Sequence, residues 1–393
     1  MRWIRRPFVV FVLAVTLVLS GCSVCESPSA ELIGEWEAEG FIVDACTGEI
    51  DGKPYLFLLT RQGSSEVTIH VLDVADPVEP IEVAALEAPM GFLFPLGGLI
   101  LSGMELYVGL SESEAALWVV DVSDPASPRE IALQEKEFAV WKPCVSGNYL
   151  AVNTDIWGRC FAFFDISRPA QPRLLGELAL TVQSMSSSGW HADYVGSMFY
   201  VVVGAGLAIT DVSSPGLPQE AGFYTNPDWE PAELEGVEGA GTSVISWMEE
   251  FGTLEELLDD MFASGSFFDV AVSDGYAYIA ASDSGLVVLD VRDPESPEEV
   301  ARLEIPGKAV HVLNAGDLAY IMGVSFTGGS TIDSFRHSVY IVDISDPLAP
   351  ELADSIEVVA TFPPWQSMIT LGDYIYFLSN QTVYVIDIYG GCR

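Results

Sequence analysis

Short apolar runs separated by turn-forming residues follow one another along most of the chain. The runs are rich in Val, Ile, Tyr and Phe, and Gly, Asn and Asp-Pro lie between them. Residues 268–305 show the pattern well, with Asp274-Gly275 after the first run and Asp293-Pro294 before the last. β-branched and aromatic runs between such turns are typical of strands, which excludes a helical solenoid. The pattern predicts an all-β fold of short antiparallel strands.

One phrase recurs seven times. An apolar residue and a second residue, which is apolar in six copies and Thr210 in the fourth, precede Asp and then Val or Ile, and a turn that ends in Pro follows in six copies. Its first aspartates are Asp73, Asp121, Asp165, Asp211, Asp290, Asp343 and Asp387. The spacings are 48, 44, 46, 79, 53 and 44 residues. A period of about 45 residues with four short strands per copy indicates a propeller blade. The count predicts a seven-bladed β-propeller of four-stranded blades.

The aspartates of the phrase have two interpretations. They suit Asx turns, in which Pro fixes φ where the third strand of a blade ends. Calcium binding is the weaker alternative, because the third and fourth copies carry Arg168 and Ser214 in place of the second aspartate.

These repeats resemble the LVIVD family of bacterial and archaeal extracytoplasmic β-propellers. The resemblance covers essentially all of residues 31–391 and depends on the Asp-Val/Ile-Ser-Asp-Pro phrase and its Pro-x-x-Pro continuation. It implies a propeller fold and an extracytoplasmic location. It supplies no catalytic motif and therefore no site residues.

The seventh copy stops after its third strand, and the missing strand is expected at the other end of the chain. Residues 31–36 match the outer strand that begins at Arg173 in the third copy, so we expect them to complete blade seven. Cys25 and Cys392 would then lie near each other, and a Cys25–Cys392 disulfide is predicted, with unpaired thiols as the alternative. The pairing of Cys46, Cys144 and Cys160 is left open.

The first thirty residues have the features of a targeting segment. Arg2, Arg5 and Arg6 precede an apolar run, residues 8–19, that is too short to span a bilayer as a helix. The run ends in Leu-Ser-Gly-Cys22, which resembles a bacterial lipobox. We therefore predict a lipoprotein signal peptide over 1–21, acylation of Cys22, a lipid-anchored linker over 22–30 and a propeller over 31–393. The expected location is the cell envelope, at the outer membrane or the cell surface.

The charge is strongly unbalanced, with 16 Lys and Arg against 57 Asp and Glu and a formal net charge of −41. This charge argues strongly against nucleic-acid binding, which needs basic side chains that displace counterions from phosphate. Electrostatic docking on anionic lipid is disfavoured for the same reason.

Blade topology predicts two unequal faces. The first-to-second and third-to-fourth turns share one face and are short, whereas the insertions gather on the other face, the largest being 225–266 between blades four and five. Thr253-Leu-Glu-Glu256 is a capping box, so a small helical hairpin is expected there, with a lid or partner-binding element anchored by Trp229 and Trp247 as the alternative. The lipid anchor should attach on the short-turn side, so the elaborated face is expected to be membrane-distal and to take any protein or glycan partner.

Alignment of the innermost strands places a polar set toward the central channel. These residues are Lys142, His191, Asp193, Asp269 and His311. His191, Asp193, Asp269 and His311 are candidate ligands for a divalent cation. A channel lined by mutually paired polar groups, a polar ligand and an acid/base pair are the alternatives. His70 and His337 are predicted to be surface residues.

No metalloprotease, serine-hydrolase or phosphate-loop motif occurs in the sequence. The predicted function is therefore a membrane-anchored extracytoplasmic binding or scaffolding module that acts through its membrane-distal loop face. The alternative is a metal-dependent or acid/base enzyme, a hydrolase or lyase, that uses the channel His and Asp residues. No pattern indicates an oligomeric state.

Overall fold

In a computed structural model, the described part of the chain begins at Ser29 and ends at Tyr389. The described residues are 29–63, 66–89, 97–111, 115–136, 138, 140–154, 160–180, 191–204, 206–228, 265–326, 335–358 and 368–389. Every regular element in these ranges is a β-strand. The predicted signal peptide, acylated Cys22, Cys25–Cys392 disulfide and most of the 225–266 insert lie outside the described residues. Within the described ranges, none of the elements is a helix that could span a bilayer.

The strands form seven antiparallel four-stranded sheets, as predicted. A single strand, β1 (Glu31–Glu37), precedes the first complete blade. Blade 1 contains β2 (Phe41–Ile50), β3 (Lys53–Gln62), β4 (Glu66–Asp73) and β5 (Ile81–Glu87). Blade 2 contains β6 (Gly98–Ser102), β7 (Glu105–Ser111), β8 (Ala115–Asp121) and β9 (Arg129–Lys136). Blade 3 contains β10 (Trp141–Ser146), β11 (Tyr149–Asn153), β12 (Cys160–Asp165) and β13 (Arg173–Ala179).

The remaining blades follow the same order. Blade 4 contains β14 (Ala192–Val195), β15 (Met198–Val203), β16 (Gly206–Asp211) and β17 (Gln219–Thr225). Blade 5 contains β18 (Asp269–Ser273), β19 (Tyr276–Ala280), β20 (Leu286–Asp290) and β21 (Glu298–Leu303). Blade 6 contains β22 (Lys308–Ala315), β23 (Leu318–Phe326), β24 (Phe335–Asp343) and β25 (Glu351–Val358). Blade 7 has only β26 (Met368–Leu371), β27 (Tyr374–Ser379) and β28 (Thr382–Asp387) from this end of the chain.

The N-terminal strand completes blade 7, which confirms the prediction of ring closure. The sheet order is β1-β28-β27-β26, and β1 pairs antiparallel with β28 from Glu31 opposite Asp387 to Glu37 opposite Thr382. The backbone N–H of Ser29 also donates to the carbonyl of Ile388, at 3.1 Å. The chain therefore enters the propeller beside the end of β28.

The core consists of seven apolar layers, one between each pair of neighbouring blades. The second and third strands of each blade are sandwiched between two neighbours, so their apolar runs are continuous rather than alternating. β3 is typical, with six consecutive buried residues. A one-residue bulge interrupts every outer strand, and in blade 7 it falls at Ile33, which packs between blades 7 and 1.

The connections on one face are uniform. All seven first-to-second hairpins are two-residue turns, in which the first residue has positive φ. Asp51-Gly52 and Asp274-Gly275 have positive φ at both positions, as type I′ turns require. The six third-to-fourth connections each contain seven residues, from 74–80 to 344–350. We call this side the uniform face.

The repeated phrase forms Asx turns on the uniform face. In all seven copies, Oδ1 of the first aspartate accepts the backbone N–H two residues further on, at 2.8 to 3.0 Å. Where the second aspartate is present, as in Asp124 and Asp346, it makes the same contact. The phrase is therefore explained by the geometry of the turns.

The opposite side of the ring carries the second-to-third and blade-to-blade connections, which range from 2 residues (380–381) to 43 residues (226–268). We call it the variable face. The connections therefore have constant lengths on the uniform face and varied lengths on the variable face, as the sequence predicted.

Candidate functional site

Three of the predicted channel residues meet on the innermost strands of blades 4, 5 and 6. His191 directly precedes β14, Asp269 is the first residue of β18, and His311 is the fourth residue of β22. The innermost strands of neighbouring blades contact one another around the ring, so adjacent blades bring these side chains together. Because each innermost strand begins at the variable face, the cluster lies toward that side of the propeller.

The three side chains form a close cluster, which we call the His-Asp-His cluster. His191 Nδ1 lies 3.2 Å from Asp269 Oδ1, and His311 Nδ1 lies 2.9 Å from Asp269 Oδ2. The two imidazole rings approach edge to face, with centroids 5.4 Å apart. Asp269 and His311 are buried, whereas the His191 side chain keeps 27% of its surface exposed. His191 is therefore the member that solvent or a ligand can reach.

Backbone donors fix the carboxylate of Asp269. Its Oδ1 accepts the N–H of Val270 at 2.8 Å, and its Oδ2 accepts the N–H of Val312 at 2.9 Å. Burial alone would raise the pKa of Asp269, but the adjacent His191 and His311 imidazoles outweigh it and hold that pKa far below its usual range. Asp269 is therefore an ionised, oriented carboxylate.

Burial has the opposite consequence for His191. Burial lowers the pKa of the His191 imidazole, and the charges of Lys142 and His311 lower it further. The Asp269 carboxylate raises this pKa but does not outweigh burial. His191 is accordingly a neutral imidazole with a nitrogen lone pair near neutral pH. Neutral imidazole is the form that coordinates metals and accepts protons.

Asp193 does not join the cluster, although the sequence grouped it there. Its Oδ2 accepts the backbone N–H of Val272 on β18, at 2.7 Å. Burial raises the pKa of Asp193, and the N–H groups of Val272 and Tyr194 oppose that shift. The group of potential metal ligands found among the described residues contains only His191, Asp269 and His311. Asp193 instead links blade 4 to blade 5.

Lys142 also lies apart from the cluster. Its Nζ is 3.9 Å from Oδ1 of Asp44, a residue of blade 1 that the sequence analysis did not single out. Oδ2 of Asp44 accepts the N–H of Leu99 in blade 2, at 3.1 Å. Lys142 lies in a register shift of β10 and has a φ of 42°. Bulges redirect side chains, so a strict two-residue period fails at Lys142.

A glycine permits the contact between Asp44 and Lys142. A Cβ on Gly98 would lie 2.8 Å from Cδ of Pro143 and 3.0 Å from Oδ2 of Asp44. Asp44 could have been noticed as a charged residue among apolar ones, since Ile42, Val43 and Ala45 surround it on β2. Its role depends on the register of blade 1, which the sequence does not reveal.

The prediction that His70 and His337 lie at the surface was wrong. Both are buried, on the third strands of blades 1 and 6. His70 Nε2 is hydrogen-bonded to Thr60 Oγ1 at 2.9 Å, and His337 packs edge to face on Phe377. Third strands are covered on both sides by neighbouring blades, so a polar residue on them is buried whichever way it points.

Cys46 and Cys144 are free thiols, and burial raises the pKa of both. They are protonated and poorly reactive at neutral pH, so neither adds a nucleophile to the site.

The cluster can perform three kinds of chemistry. Two imidazoles and a carboxylate are a ligand set for a divalent transition metal. An imidazole oriented by a carboxylate can also transfer protons, and the partly exposed His191 can donate to or accept from a polar ligand.

Comparison with known proteins supports the fold and its repeats. The LVIVD repeat family matches residues 98–133, 195–226, 264–304 and 334–358. These four segments fall in blades 2, 4, 5 and 6. No curated protein matches the chain.

Solved structures show the same architecture at low sequence identity. A protein from Lactobacillus plantarum is 10% identical, with a TM-score of 0.53 over 81% of this chain and 88% of the other. The computationally designed Ika8 protein is 10% identical, with a TM-score of 0.50 over 92% of this chain and all of the other. At such identity the likeness concerns the fold alone. The chain is therefore a seven-bladed β-propeller in which four segments match the LVIVD repeat.

Proposed function

We propose that the protein is a lipid-anchored, extracytoplasmic binding module that captures a protein or glycan partner through its variable face. The observation that carries this proposal is the contrast between the faces. Turns on the uniform face have constant lengths, whereas connections on the variable face range from 2 to 43 residues. Loops on a rigid scaffold are where binding residues usually lie.

The direction of the N-terminus supports an outward-facing variable face. Ser29 bonds to Ile388 just beyond β28, and the N–H of Ala30 donates to Oδ2 of Asp354 at 2.9 Å. Both contacts lie at the uniform-face end of the strands. An acyl chain on Cys22 would be attached to this side, seven residues before Ser29.

The ends of the longest connection are fixed to the propeller. Nδ2 of Asn226 donates to the carbonyl of Gly265 at 2.6 Å, so the two ends meet. The N–H of Gly265 donates to Oδ1 of Asp283 at 2.9 Å, and Asp228 forms an ion pair with Arg302 on β21. A partner that binds residues 229–264 would therefore be held at a defined place on the ring.

Replacement of residues 229–264 by a short Gly-Ser linker tests the binding proposal, because the adjoining ends already meet. We expect the variant to keep its melting temperature but to lose a partner that wild type captures by cross-linking in intact cells or on a glycan array. The matched control is Met104→Ala, an exposed position on the uniform face. The proposal is wrong if both variants capture the same partners as wild type, or if both lose them equally.

Cys22→Ser tests the anchor separately. We expect the processed wild-type protein to incorporate a fatty-acid label and to sediment with membranes, because the acyl chain buries its methylenes in lipid. The variant should incorporate no label and should leave the membrane fraction. Membrane retention and labelling that do not depend on Cys22 would rule out the anchor while leaving the binding proposal intact.

A hydrolase or lyase is the second candidate, and the contact between His191 and Asp269 favours it. A carboxylate that contacts one ring nitrogen orients an imidazole for proton transfer at the other. Under this hypothesis, His191→Ala abolishes turnover while the Gly-Ser replacement of 229–264 leaves some activity. Turnover that His191→Ala leaves unchanged would exclude this use of the cluster.

A further inference from the structure

We infer that His191, Asp269 and His311 form a binding site for one divalent transition-metal ion, with Zn²⁺ as the best match. The inference goes beyond the proposed partner binding and does not depend on it. It is based on the spacing of the ligand atoms, an unpartnered buried nitrogen and the way the carboxylate is held.

The spacing of the ligand atoms suits a small ion. One ligand atom from each residue can be chosen so that all three lie within 4.8 Å of one another. The two contacts to Asp269 measure 3.2 and 2.9 Å. Zn–N and Zn–O bonds of about 2.1 Å place neighbouring ligand atoms about 3.0 to 3.4 Å apart. The two contacts to Asp269 match this spacing but reach different oxygens of the carboxylate, so a side-chain rotation would be needed to bring all three residues onto one ion.

His311 carries a nitrogen that lacks a suitable partner. The residue is 6% exposed, and its Nδ1 makes no hydrogen bond of acceptable geometry among the described residues, although Asp269 Oδ2 is only 2.9 Å away. A buried polar atom without a hydrogen bond is unfavourable. A metal ion between the imidazole and the carboxylate would give this nitrogen a bond in the direction that the hydrogen bond fails to fill.

The carboxylate is held as metal-binding carboxylates usually are. Each oxygen of Asp269 accepts one backbone N–H, from Val270 or Val312, and lies within 3.2 Å of an imidazole nitrogen. Such outer contacts fix the orientation of a ligand and improve its affinity for metal.

The charges around the cluster agree with a bound cation. The charge of Lys142 acts on His191, but Asp44 lies 3.9 Å from Lys142 and offsets that charge, and the Asp193 carboxylate interacts with Asp269. Two imidazoles favour Zn²⁺, Cu²⁺, Ni²⁺ or Co²⁺ over Ca²⁺ and Mg²⁺, which prefer oxygen ligands. Three protein ligands leave a coordination position open for water or a ligand, and the exposed part of His191 marks the side from which it would be reached.

The test is metal binding by the purified full-length protein, stripped with chelator and titrated with Zn²⁺ and Co²⁺. We expect one equivalent of Zn²⁺ per chain by elemental analysis after dialysis, a rise in melting temperature and a visible absorption band with Co²⁺. His191→Ala and His311→Leu should each weaken binding at least about 100-fold, because loss of a ligand costs more than loss of an outer contact.

The matched control is His337→Leu, the same substitution at a buried histidine of the same blade outside the cluster, which should bind Zn²⁺ like wild type. His311→Leu replaces the unpartnered nitrogen by an apolar group, so it should fold, and its melting temperature without metal shows whether it has. The site is refuted if wild type retains no stoichiometric ion, if His311→Leu binds as tightly as wild type, or if Ca²⁺ competes equally. Partner capture that depends on 229–264 would be unaffected by that result.

Discussion

At the scale of single residues, some aspartates of the repeated phrase have two roles. One carboxylate oxygen closes the turn, and the other binds an arginine. Asp121 is representative, since its Oδ1 accepts the N–H of Ser123 at 2.9 Å and its Oδ2 accepts Nη2 of Arg129 at 2.6 Å. Hydrogen bonds from Ser123, and then from Arg129, lower the pKa of Asp121 to about 2. The pKa of Asp290 is lowered to about 2 in the same way, by Arg292.

These aspartates predict how stability depends on acid. Because the pKa of Asp121 is lower in the folded protein, its stabilising contribution is complete above its usual pKa of 3.8 and is lost as the pH falls toward 2. We expect Asp121→Asn to keep the turn, since the amide oxygen still accepts the N–H of Ser123, and to melt with a weaker dependence on pH between 4 and 2. Melting temperatures across this range measure the effect.

Asp121→Ala is the companion variant. It lacks any acceptor, so it should be less stable than Asp121→Asn at every pH, by about 0.5–2 kcal/mol in analogy with other lost side-chain caps. Equal acid sensitivity of wild type and Asp121→Asn would contradict the explanation.

The residue scale also shows where sequence reasoning works. The Asx turns were predictable because they depend on residues two positions apart. The burial of His70 and His337 was not, because it depends on the neighbouring blade that covers each third strand. The residues next to His337 in the sequence do not indicate its contact with Phe377 of blade 7.

At the scale of elements, carboxylates link neighbouring innermost strands. An innermost strand pairs with its own blade on one edge only, so backbone N–H groups on its other edge lack sheet partners. Three such groups are satisfied from the preceding blade: Leu99 by Asp44, Val272 by Asp193 and Val312 by Asp269. The polar residues of these strands therefore help to hold neighbouring blades together.

This role separates Asp193 from the metal ligands in an experiment. Asp193→Ala leaves the N–H of Val272 without its acceptor, which should lower the free energy of unfolding by about 1–3 kcal/mol. Asp193→Asn keeps an acceptor oxygen and should retain most of the stability. Chemical denaturation in chelator measures both variants.

Zinc affinity gives the second measurement on the same proteins. Neither Asp193 variant should lose the stoichiometric ion, because Asp193 points at Val272 and not at the imidazoles. Loss of Zn²⁺ binding in Asp193→Asn, with stability unchanged, would restore Asp193 to the ligand set.

The same strands show why the site was only partly predictable. Alternation along the innermost strands correctly grouped His191, Asp269 and His311. It failed at Lys142, which lies in a register shift of β10, and at Asp193, whose strand β14 has no shift, whereas His311 was grouped correctly despite the shift at Val310 in β22. A single bulged residue changes which side chains meet, and its position depends on packing across the ring rather than on composition.

At the scale of the whole molecule, the ring is closed by strand β1. Trp36 of β1 packs in the apolar layer between blades 7 and 1, with its ring 6.2 Å from that of His70. The opposite end of the strand presents Leu32, which is 44% exposed. Strand β1 therefore contains Trp36, which contributes to ring closure, and Leu32, an exposed residue that can serve as its control.

Trp36→Ala should therefore destabilise the propeller by about 1–3 kcal/mol, because it removes a large, partly buried side chain at the point of closure. Leu32→Ala on the same strand should change stability by less than about 0.5 kcal/mol. Denaturant midpoints of the two variants give the comparison, and equal effects would mean that Trp36 contributes nothing special to closure.

The architecture itself was predictable from the sequence, because it follows from counting. Seven phrases and a missing last strand, matched by residues 31–36, specify the number of blades and the way the ring closes. The pattern of one blade is a weak signal by itself, but seven copies of it support the same prediction. The His-Asp-His cluster occurs once, and it depends on distances between blades.

The pairing of β1 with β28 has a consequence for biogenesis. Glu31, among the first propeller residues to leave the ribosome, finds its partner only at Asp387, so no nascent chain short of that point can complete blade 7. Until then the ring is open, and the faces of blades 1 and 6 that pack against blade 7 have no complete partner. Contacts between residues so far apart in the sequence also form slowly. The ring can therefore close only after nearly the whole polypeptide has been made.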